Sequence, residues 1–225
     1  MTIATRQTRL AQMLEQRCFY LFLALLALLV AIAFLSETIP GRRLVGVFNV
    51  IVLVAAVAAV ERSRMSLAIA GLLGLPALAL QVLALASGLL GHLALCWGFG
   101  AAFYAFTTAH LLRYVLRRDN MTSDKLYGTV AAYIMIALLF AFLCGVLQYF
   151  YPGAYSFQGT PRFLDMSELI FFSFTVLTTA GFGDITPMVI QSRVLTILEA
   201  VTGVMYVAIL IARLTGVYPV VEKRP

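Results

Sequence analysis

A short run from Thr178 to Asp184 combines threonines, glycines and a carboxylate between two apolar segments. Glycine adopts backbone dihedrals that other residues rarely reach, so Gly181 and Gly183 free the chain here from regular secondary structure. Their alternation with larger residues indicates backbone carbonyls turned toward a shared axis. The chemistry predicted for this run is therefore that of its backbone carbonyls, with no covalent bond made or broken.

The composition of the chain is that of a membrane-embedded protein. Of its 225 residues, 62% are hydrophobic and 12% are charged, whereas a soluble domain is about half apolar and a quarter charged. The net charge of +6 does not indicate a nucleic-acid partner, because the basic residues flank apolar segments and form no stripe on a soluble fold. The sequence shows no nucleophile–base pair and no cluster of metal ligands, which argues against an enzyme.

The apolar segments predict a multi-pass protein of the cell membrane (plasma or inner), in contact with membrane lipid. With both termini cytoplasmic, twelve of the 16 Lys and Arg residues lie inside and four lie outside, as the positive-inside rule requires. The region after span five then lies outside, and its residues 152–164 are interpreted as a loop. The predicted spans are 18–35, 44–60, 66–86, 89–112, 126–150 and 189–214, with a cytoplasmic N-terminal segment at 1–17, a cytoplasmic linker at 113–125 and a cytoplasmic tail at 216–225.

A short helix is predicted at 165–177, just before the run. Asp165 fits the N-cap position, and Glu168 three residues later completes a capping box. At 1.5 Å per residue the helix is about 18 Å long, too short for a hydrocarbon core of about 30 Å. Its carbonyl end points inward and, being partly negative, favours a cation there. Irregular backbone at this depth must be buried in protein or line water, so the run is expected to be packed inside an assembly.

The sequence Thr178-Thr179-Ala180-Gly181-Phe182-Gly183-Asp184, followed by Pro187, resembles the selectivity filter of the potassium channel superfamily. The resemblance covers residues 126–215, the two-helix pore module. It implies an all-α membrane protein with six transmembrane helices, a re-entrant pore helix and a filter at 179–183, assembled as a homotetramer around a four-fold pore. In that module K⁺ is the permeant ion, bound by the carbonyls of Thr179, Ala180, Gly181, Phe182 and Gly183, and Asp184 lies at the outer mouth.

Two residues depart from the usual filter of that family. Ala180 replaces the common Val, and Phe182 replaces the common Tyr. Backbone coordination is unaffected, but the missing hydroxyl removes one hydrogen bond behind the filter. Three functions stay open: a potassium-selective channel with passive conduction, a weakly selective cation channel with a loosened filter, and a non-conducting partner subunit or membrane scaffold.

The same resemblance implies roles for residues of the inner helix, 189–214. Gly203 stands where the family places a gating hinge, although a glycine also permits close helix packing. Family position and helical spacing make Val207, Ile211 and Thr215 candidate pore-lining residues.

Glu199 is an acid well inside a predicted span. A charge at such a position costs about 2.5–3.5 kcal/mol on insertion scales. We expect Glu199 to face protein, near the pore helix or span five, either protonated or hydrogen-bonded. It is then a structural anchor or a proton sensor for gating.

Residues 18–112 form a predicted four-helix membrane domain without a charged sensor helix. A voltage sensor carries repeated Arg or Lys inside the membrane, whereas span four has only His92 and His110 before Arg113. We therefore expect no strong voltage dependence from this domain. Its alternative roles are packing around the pore, binding lipid or a ligand, and tuning the gate through the basic linker 113–125.

Overall fold

The computed structural model describes residues 17–35, 48–57, 64–87, 90–117 and 122–217. Most of the predicted N-terminal segment and tail therefore lies outside the described residues. Within these ranges the chain forms α1 (Arg17–Leu35), α2 (Phe48–Val57), α3 (Arg64–Ser87), α4 (Leu90–Val115), α5 (Ser123–Phe150), β1 (Tyr155–Phe157), β2 (Thr160–Pro161), α6 (Met166–Leu177), β3 (Ile185–Pro187) and α7 (Ile190–Val217).

Each predicted span falls on one of these helices. Helices α1, α4, α5 and α7 are long and apolar enough to cross a membrane, judged within the described residues. Helix α2 and the apolar part of α3 are shorter there, so the arrangement of six spans stays a prediction. Pro76 lies inside α3, where a membrane helix tolerates it.

Three helices extend three residues beyond a predicted bound. Helix α4 continues to Val115, and α5 begins at Ser123, so the predicted linker 113–125 is partly helical. The early start of α5 has a local cause, because the Thr122 hydroxyl accepts the Lys125 N–H at 3.3 Å and so satisfies a donor that the helix leaves free. Helix α7 runs three residues beyond the predicted end at 214, to Val217.

Helix α5 is the centre of the packing. Helices α1, α4, α6 and α7 all contact it, and 61% of its span is buried. Helix α1 contributes Leu21, Leu25 and Leu28 to the common core, at the spacing of three or four residues that defines one face of a helix.

Helices α4 and α5 approach each other through glycines that face aromatic rings. An ideal Cβ on Gly100 would lie 2.6 Å from the Phe142 ring, and one on Gly145 would lie 2.8 Å from Trp97. Small residues in membrane helices permit such close approach. Gly98 differs, because a Cβ there would meet nothing within 4 Å.

A small sheet has the strand order β2–β1–β3. Its strands β1 and β2 lie within residues 152–164, which are predicted to be a loop. Gln158 and Gly159 connect β1 to β2 with φ values of 49° and 81°, the two positive values of a type I′ hairpin turn. Strand β1 also pairs antiparallel with β3, which directly follows the run from Thr178 to Asp184. The sheet therefore joins the chain before α6 to the chain after that run.

Candidate functional site

The start of α6 has the predicted capping box. The N–H of Glu168 donates to Asp165 Oδ1 at 2.9 Å, and the N–H of Asp165 donates to Glu168 Oε2 at 3.0 Å. Arg162 forms a salt bridge with the same glutamate. The reciprocal bonds satisfy two backbone donors, and the capping box is confirmed.

Gln148 of α5 holds the chain that enters α6. Its Nε2 donates to the Leu164 carbonyl at 2.8 Å, and its Oε1 accepts the Leu164 N–H at 3.0 Å. Gln148 and Leu164 are both buried, where unpaired backbone groups are costly. One side chain therefore satisfies both backbone groups of Leu164 and ties the beginning of α6 to α5.

At the other end of α6, directly before the run from Thr178 to Asp184, each of the last four backbone carbonyls of the helix accepts a hydrogen bond. A helix C-terminus leaves four carbonyls without partners inside the helix. The carbonyl of Leu177 accepts the Tyr133 hydroxyl of α5 at 3.1 Å. The other three accept backbone N–H groups from the following residues: Phe174 from Thr178, Thr175 from Gly181 and Val176 from Thr179.

The backbone of the run alternates in handedness. Thr179, Gly181 and Gly183 have positive φ values of 60°, 52° and 81°, whereas Ala180 and Phe182 between them do not. Alternation of this kind gathers successive N–H groups on one side, which favours carbonyl oxygens on the other. All five residues are exposed on the single chain. We refer to these five residues as the carbonyl ladder.

The Gly183 end of the carbonyl ladder is attached to the sheet. The N–H of Gln158 donates to the Asp184 carbonyl at 2.8 Å, and Asp184 Oδ1 accepts the Ile185 N–H at 3.0 Å. The hydroxyls of Ser156 and Thr186 lie 2.7 Å apart across β1 and β3. The carboxylate that the sequence places at the outer mouth is therefore half-buried and engaged by the following residue.

Phe182 has no hydroxyl, and its ring instead contacts an aromatic ring of α6. Its ring stacks on that of Phe171 in α6, with centroids 5.8 Å apart and planes 8° from parallel. Stacked aromatic pairs contribute about 0.5–1.5 kcal/mol beyond the area they bury. The side chain therefore braces the ladder against α6 without a hydrogen bond.

The candidate residues of α7 occupy different surroundings. Gly203 packs on the end of α6, because an ideal Cβ there would lie 2.1 Å from the Leu177 oxygen. Val207 and Ile211 are exposed on the single chain, as a pore-lining position requires. Thr215 lies in α7, and its side chain is outside the described part of the structure.

Much of the surface of α7 is apolar and exposed. Only 11% of its span is buried within the single chain, so lipid or other protein must cover the remainder. This exposure is shared by the candidate pore-lining residues and by their neighbours on the helix. The large exposed side chains of the helix are Ile190, Val194, Ile197, Leu198, Val201, Val204, Met205, Val207, Ile209 and Ile211.

Glu199 faces protein and is fully buried. Its Oε1 is hydrogen-bonded with the Ser173 hydroxyl of α6. Ser173 Oγ also lies 2.6 Å from the Ala137 carbonyl of α5. The acid therefore belongs to a contact among α7, α6 and α5.

The sequence reasoning missed several polar side chains that position these elements. Gln148 and Tyr133 anchor the two ends of α6, and Ser173 contacts Glu199. Each is a polar residue within an apolar segment. This pattern indicates a positioning role, since buried polar groups need partners. Their partners were not readable because they come from distant parts of the chain.

Comparisons with known proteins agree with this geometry. Residues 128–218 match the model of the ion channel family. The chain is 30% identical over 107 residues to the voltage-gated potassium channel Kch of Escherichia coli (strain K12), which covers 47% of this chain and 24% of that protein. It is 33% identical over 96 residues to two-pore potassium channel 4 of Arabidopsis thaliana, which covers 42% of this chain and 33% of that protein.

The chain thus spans a third or less of the length of these two relatives. No solved structure matches it. The matches are to transport proteins and not to enzymes, and the apolar helices are those of a multi-pass membrane protein. The chain is thus similar to the ion channel family over residues 128–218, and to segments of two potassium channels.

Proposed function

We propose that this chain forms a potassium-selective channel that conducts K⁺ passively through a homotetrameric pore. The observation that carries the proposal is the alternating sign of φ from Thr179 to Gly183, which supports a ladder of carbonyls turned the same way. A ring of such ladders compensates K⁺ for its lost hydration shell. The ion channel match and the two named potassium channels support the same function.

The tetramer is proposed from the exposure of that backbone. Irregular backbone at membrane depth must be buried in protein or line water, yet residues 179–183 are exposed on one copy. One protomer supplies one wall of a filter, and three more complete it. The exposed apolar surface of α7 supports the same assembly. In it, Asp184 lies at the outer mouth, and Val207, Ile211 and Thr215 line the inner pore.

The proposed organisation follows the sequence analysis. Residues 18–112 form the four-helix membrane domain, and 126–215 form the pore domain, with the filter at 179–183. Both termini are cytoplasmic, and the membrane is the cell membrane. The first four helices do not gate the pore strongly by voltage, because α4 carries basic residues only from its last turn onward.

The test is K⁺ flux into liposomes that contain the purified protein, with two matched glycine substitutions. A Cβ would meet nothing within 4 Å at Gly181 or at Gly98, but only Gly181 has a positive φ, of 52°. Alanine is strained at that dihedral and unstrained in helix α4. We expect wild-type protein and Gly98→Ala to conduct and Gly181→Ala to lose most of the flux.

The same preparation separates the alternatives. A reversal potential that follows the K⁺ gradient and ignores the Na⁺ gradient supports the selective channel. A potential that responds to both gradients identifies a weakly selective cation channel. Wild-type protein without flux, indistinguishable from Gly181→Ala, identifies a non-conducting partner subunit.

A further inference from the structure

A cluster of buried polar side chains lies behind α6. Glu199 comes from α7, Ser173 from α6, Cys144 from α5 and Tyr155 from β1, and each has 0% relative exposure. None belongs to the carbonyl ladder. Four separate elements therefore place polar groups at one buried position, where every hydrogen must have an acceptor.

The hydrogen bonds of Ser173 indicate the protonation state of Glu199. Its hydroxyl contacts two acceptor atoms, the Ala137 carbonyl at 2.6 Å and Glu199 Oε1. A serine hydroxyl has one hydrogen to donate and two lone pairs with which to accept. Both contacts are satisfied only if Glu199 carries the proton and donates to Ser173 Oγ, while Ser173 donates to Ala137.

An ionised Glu199 leaves this arrangement unsatisfied. Ser173 would then donate to the carboxylate, and its oxygen would lie against the Ala137 carbonyl without a hydrogen between them. In the described part of the chain no Lys or Arg pairs with Glu199. A buried charge without a partner is strongly destabilising, because nothing compensates the desolvation of the ion. The titratable groups that face Glu199 are the Cys144 thiol and the Tyr155 phenol.

Two atoms of the cluster have no hydrogen-bond partner among the described residues. They are Glu199 Oε2 and the Tyr155 hydroxyl, both buried. Burial raises the pKa of the Tyr155 phenol, and its interactions with the Cys144 thiol and the Glu199 carboxyl raise it further. The Tyr155 ring is fixed edge-on against Phe172, with centroids 5.4 Å apart.

We propose that Glu199 is a neutral carboxylic acid that donates to Ser173, and that a buried water joins its Oε2 to the Tyr155 hydroxyl. The water donates to Oε2 and accepts from Tyr155. Its second hydrogen is directed at the Cys144 sulfur, a weak acceptor. A buried water typically makes about three hydrogen bonds to groups that are otherwise unsatisfied, and this site offers three.

We refer to the hydrogen-bonded chain of Ser173, Glu199, the water and Tyr155 as the relay. Glu199, Ser173 and Tyr155 are positioning residues in it. They touch no permeant ion. They join α7 to the middle of α6 and, through the water, to β1. Because β1 pairs with β3 beyond the carbonyl ladder, the relay links the inner helix to both sides of the ladder without using a charge.

The first test is infrared absorption of the purified full chain in liposomes at neutral pH, compared with Glu199→Gln. We expect a carbonyl-stretch band of a protonated carboxyl in the wild type and its loss in Glu199→Gln. The glutamine amide can still donate to Ser173, so this variant should elute as the wild type does on size exclusion. A difference confined to the carboxylate bands would overturn the neutral acid.

The second test addresses the water. Tyr155→Phe keeps the ring against Phe172 and removes only the hydroxyl, so the bridging water loses one of its three partners. The carboxyl band should persist and move to higher frequency as the hydrogen bond from the water to Oε2 weakens. In the wild type, exchange into H₂¹⁸O should shift the O–H band of a tightly held water. An unmoved carboxyl band or an unshifted water spectrum would overturn the bridge. Neither readout depends on ion flux, so failure of the channel proposal is detected separately.

Discussion

The Leu177 carbonyl oxygen occupies the place where a side chain on Gly203 would begin. An ideal Cβ on that glycine would lie 2.1 Å from the oxygen and 3.0 Å from the carbonyl carbon. The obstructing atoms are backbone, so no rotamer change relieves the overlap. Gly203 therefore sets how closely α7 approaches the end of α6, directly before the carbonyl ladder.

Gly203→Ala should destabilise the protein. Its methyl group must push α7 away from α6, and overpacking of this kind costs about 1–3 kcal/mol. Gly98→Ala is the matched control, since its methyl group meets nothing within 4 Å and alanine is favoured over glycine in a helix. Thermal unfolding in detergent measures both. If Gly203→Ala unfolds at the control's temperature but alters channel opening, the glycine is a hinge and its packing role is wrong.

Tyr133→Phe should loosen the same end of α6. The substitution removes the hydroxyl that binds the Leu177 carbonyl at 3.1 Å, at a cost of about 0.5–1.5 kcal/mol. The ring of Tyr133 should stay against Tyr206, since their centroids are 5.5 Å apart.

Tyr206→Phe is the comparison for Tyr133→Phe. Its hydroxyl donates to the Thr129 carbonyl at 2.6 Å, but that carbonyl lies inside α5 and retains its helical partner. We therefore expect a smaller loss of unfolding temperature for Tyr206→Phe than for Tyr133→Phe. The reverse order would contradict the anchoring role of Tyr133.

Gln148→Leu should detach the beginning of α6. The leucine has similar volume but leaves the N–H and carbonyl of Leu164 unpaired in a buried position, at about 1–3 kcal/mol for each group. Gln191→Leu is the control, because Gln191 is exposed. Unfolding temperature and the fraction of assembled protein on size exclusion should fall only for Gln148→Leu. Equal effects from the two substitutions would refute the anchor.

Phe171→Ala should weaken the filter. It removes the ring that stacks on Phe182 at 5.8 Å, a contact that contributes about 0.5–1.5 kcal/mol. Phe182→Tyr retains the stack and is the control. In liposomes under K⁺ and Na⁺ gradients, we expect Phe171→Ala to shift the reversal potential toward the Na⁺ value and Phe182→Tyr to leave it in place. Unchanged selectivity in Phe171→Ala would show that the stack does not brace the ladder.

Local patterns predicted the parts of this structure that depend on neighbouring residues. The capping box needs only Asp165 and Glu168 three positions apart, and the helices need only long apolar segments. The resemblance of Thr178–Asp184 to a potassium channel filter was likewise contained in a few consecutive residues. The match of residues 128–218 to the ion channel family and the similarity to two potassium channels agree with it, and the filter itself stays a prediction.

Contacts between residues far apart in the sequence could not be predicted. Gly159 was a sequence sign of the turn between β1 and β2. The pairing of β1 with β3, however, joins segments that precede and follow α6 in the sequence. Likewise, Tyr133 and Leu177 are 44 positions apart. Such pairs depend on how α5, α6 and α7 pack together, and the sequence has no pattern that sets their register.

The membrane domain before the pore should respond weakly to voltage. Moving one elementary charge across 100 mV supplies about 2.3 kcal/mol, but α4 carries basic residues only from Arg113 in its last turn. One relative is a voltage-gated potassium channel, and that name describes the relative's whole chain. We expect conductance in a planar bilayer to vary little with voltage, both in the wild type and in the double variant Arg113→Gln, Arg117→Gln. The second substitution keeps the Arg117 carbonyl that accepts from Arg213. A steep conductance–voltage curve that the double variant abolishes, with selectivity unchanged, would place a voltage sensor at the end of α4.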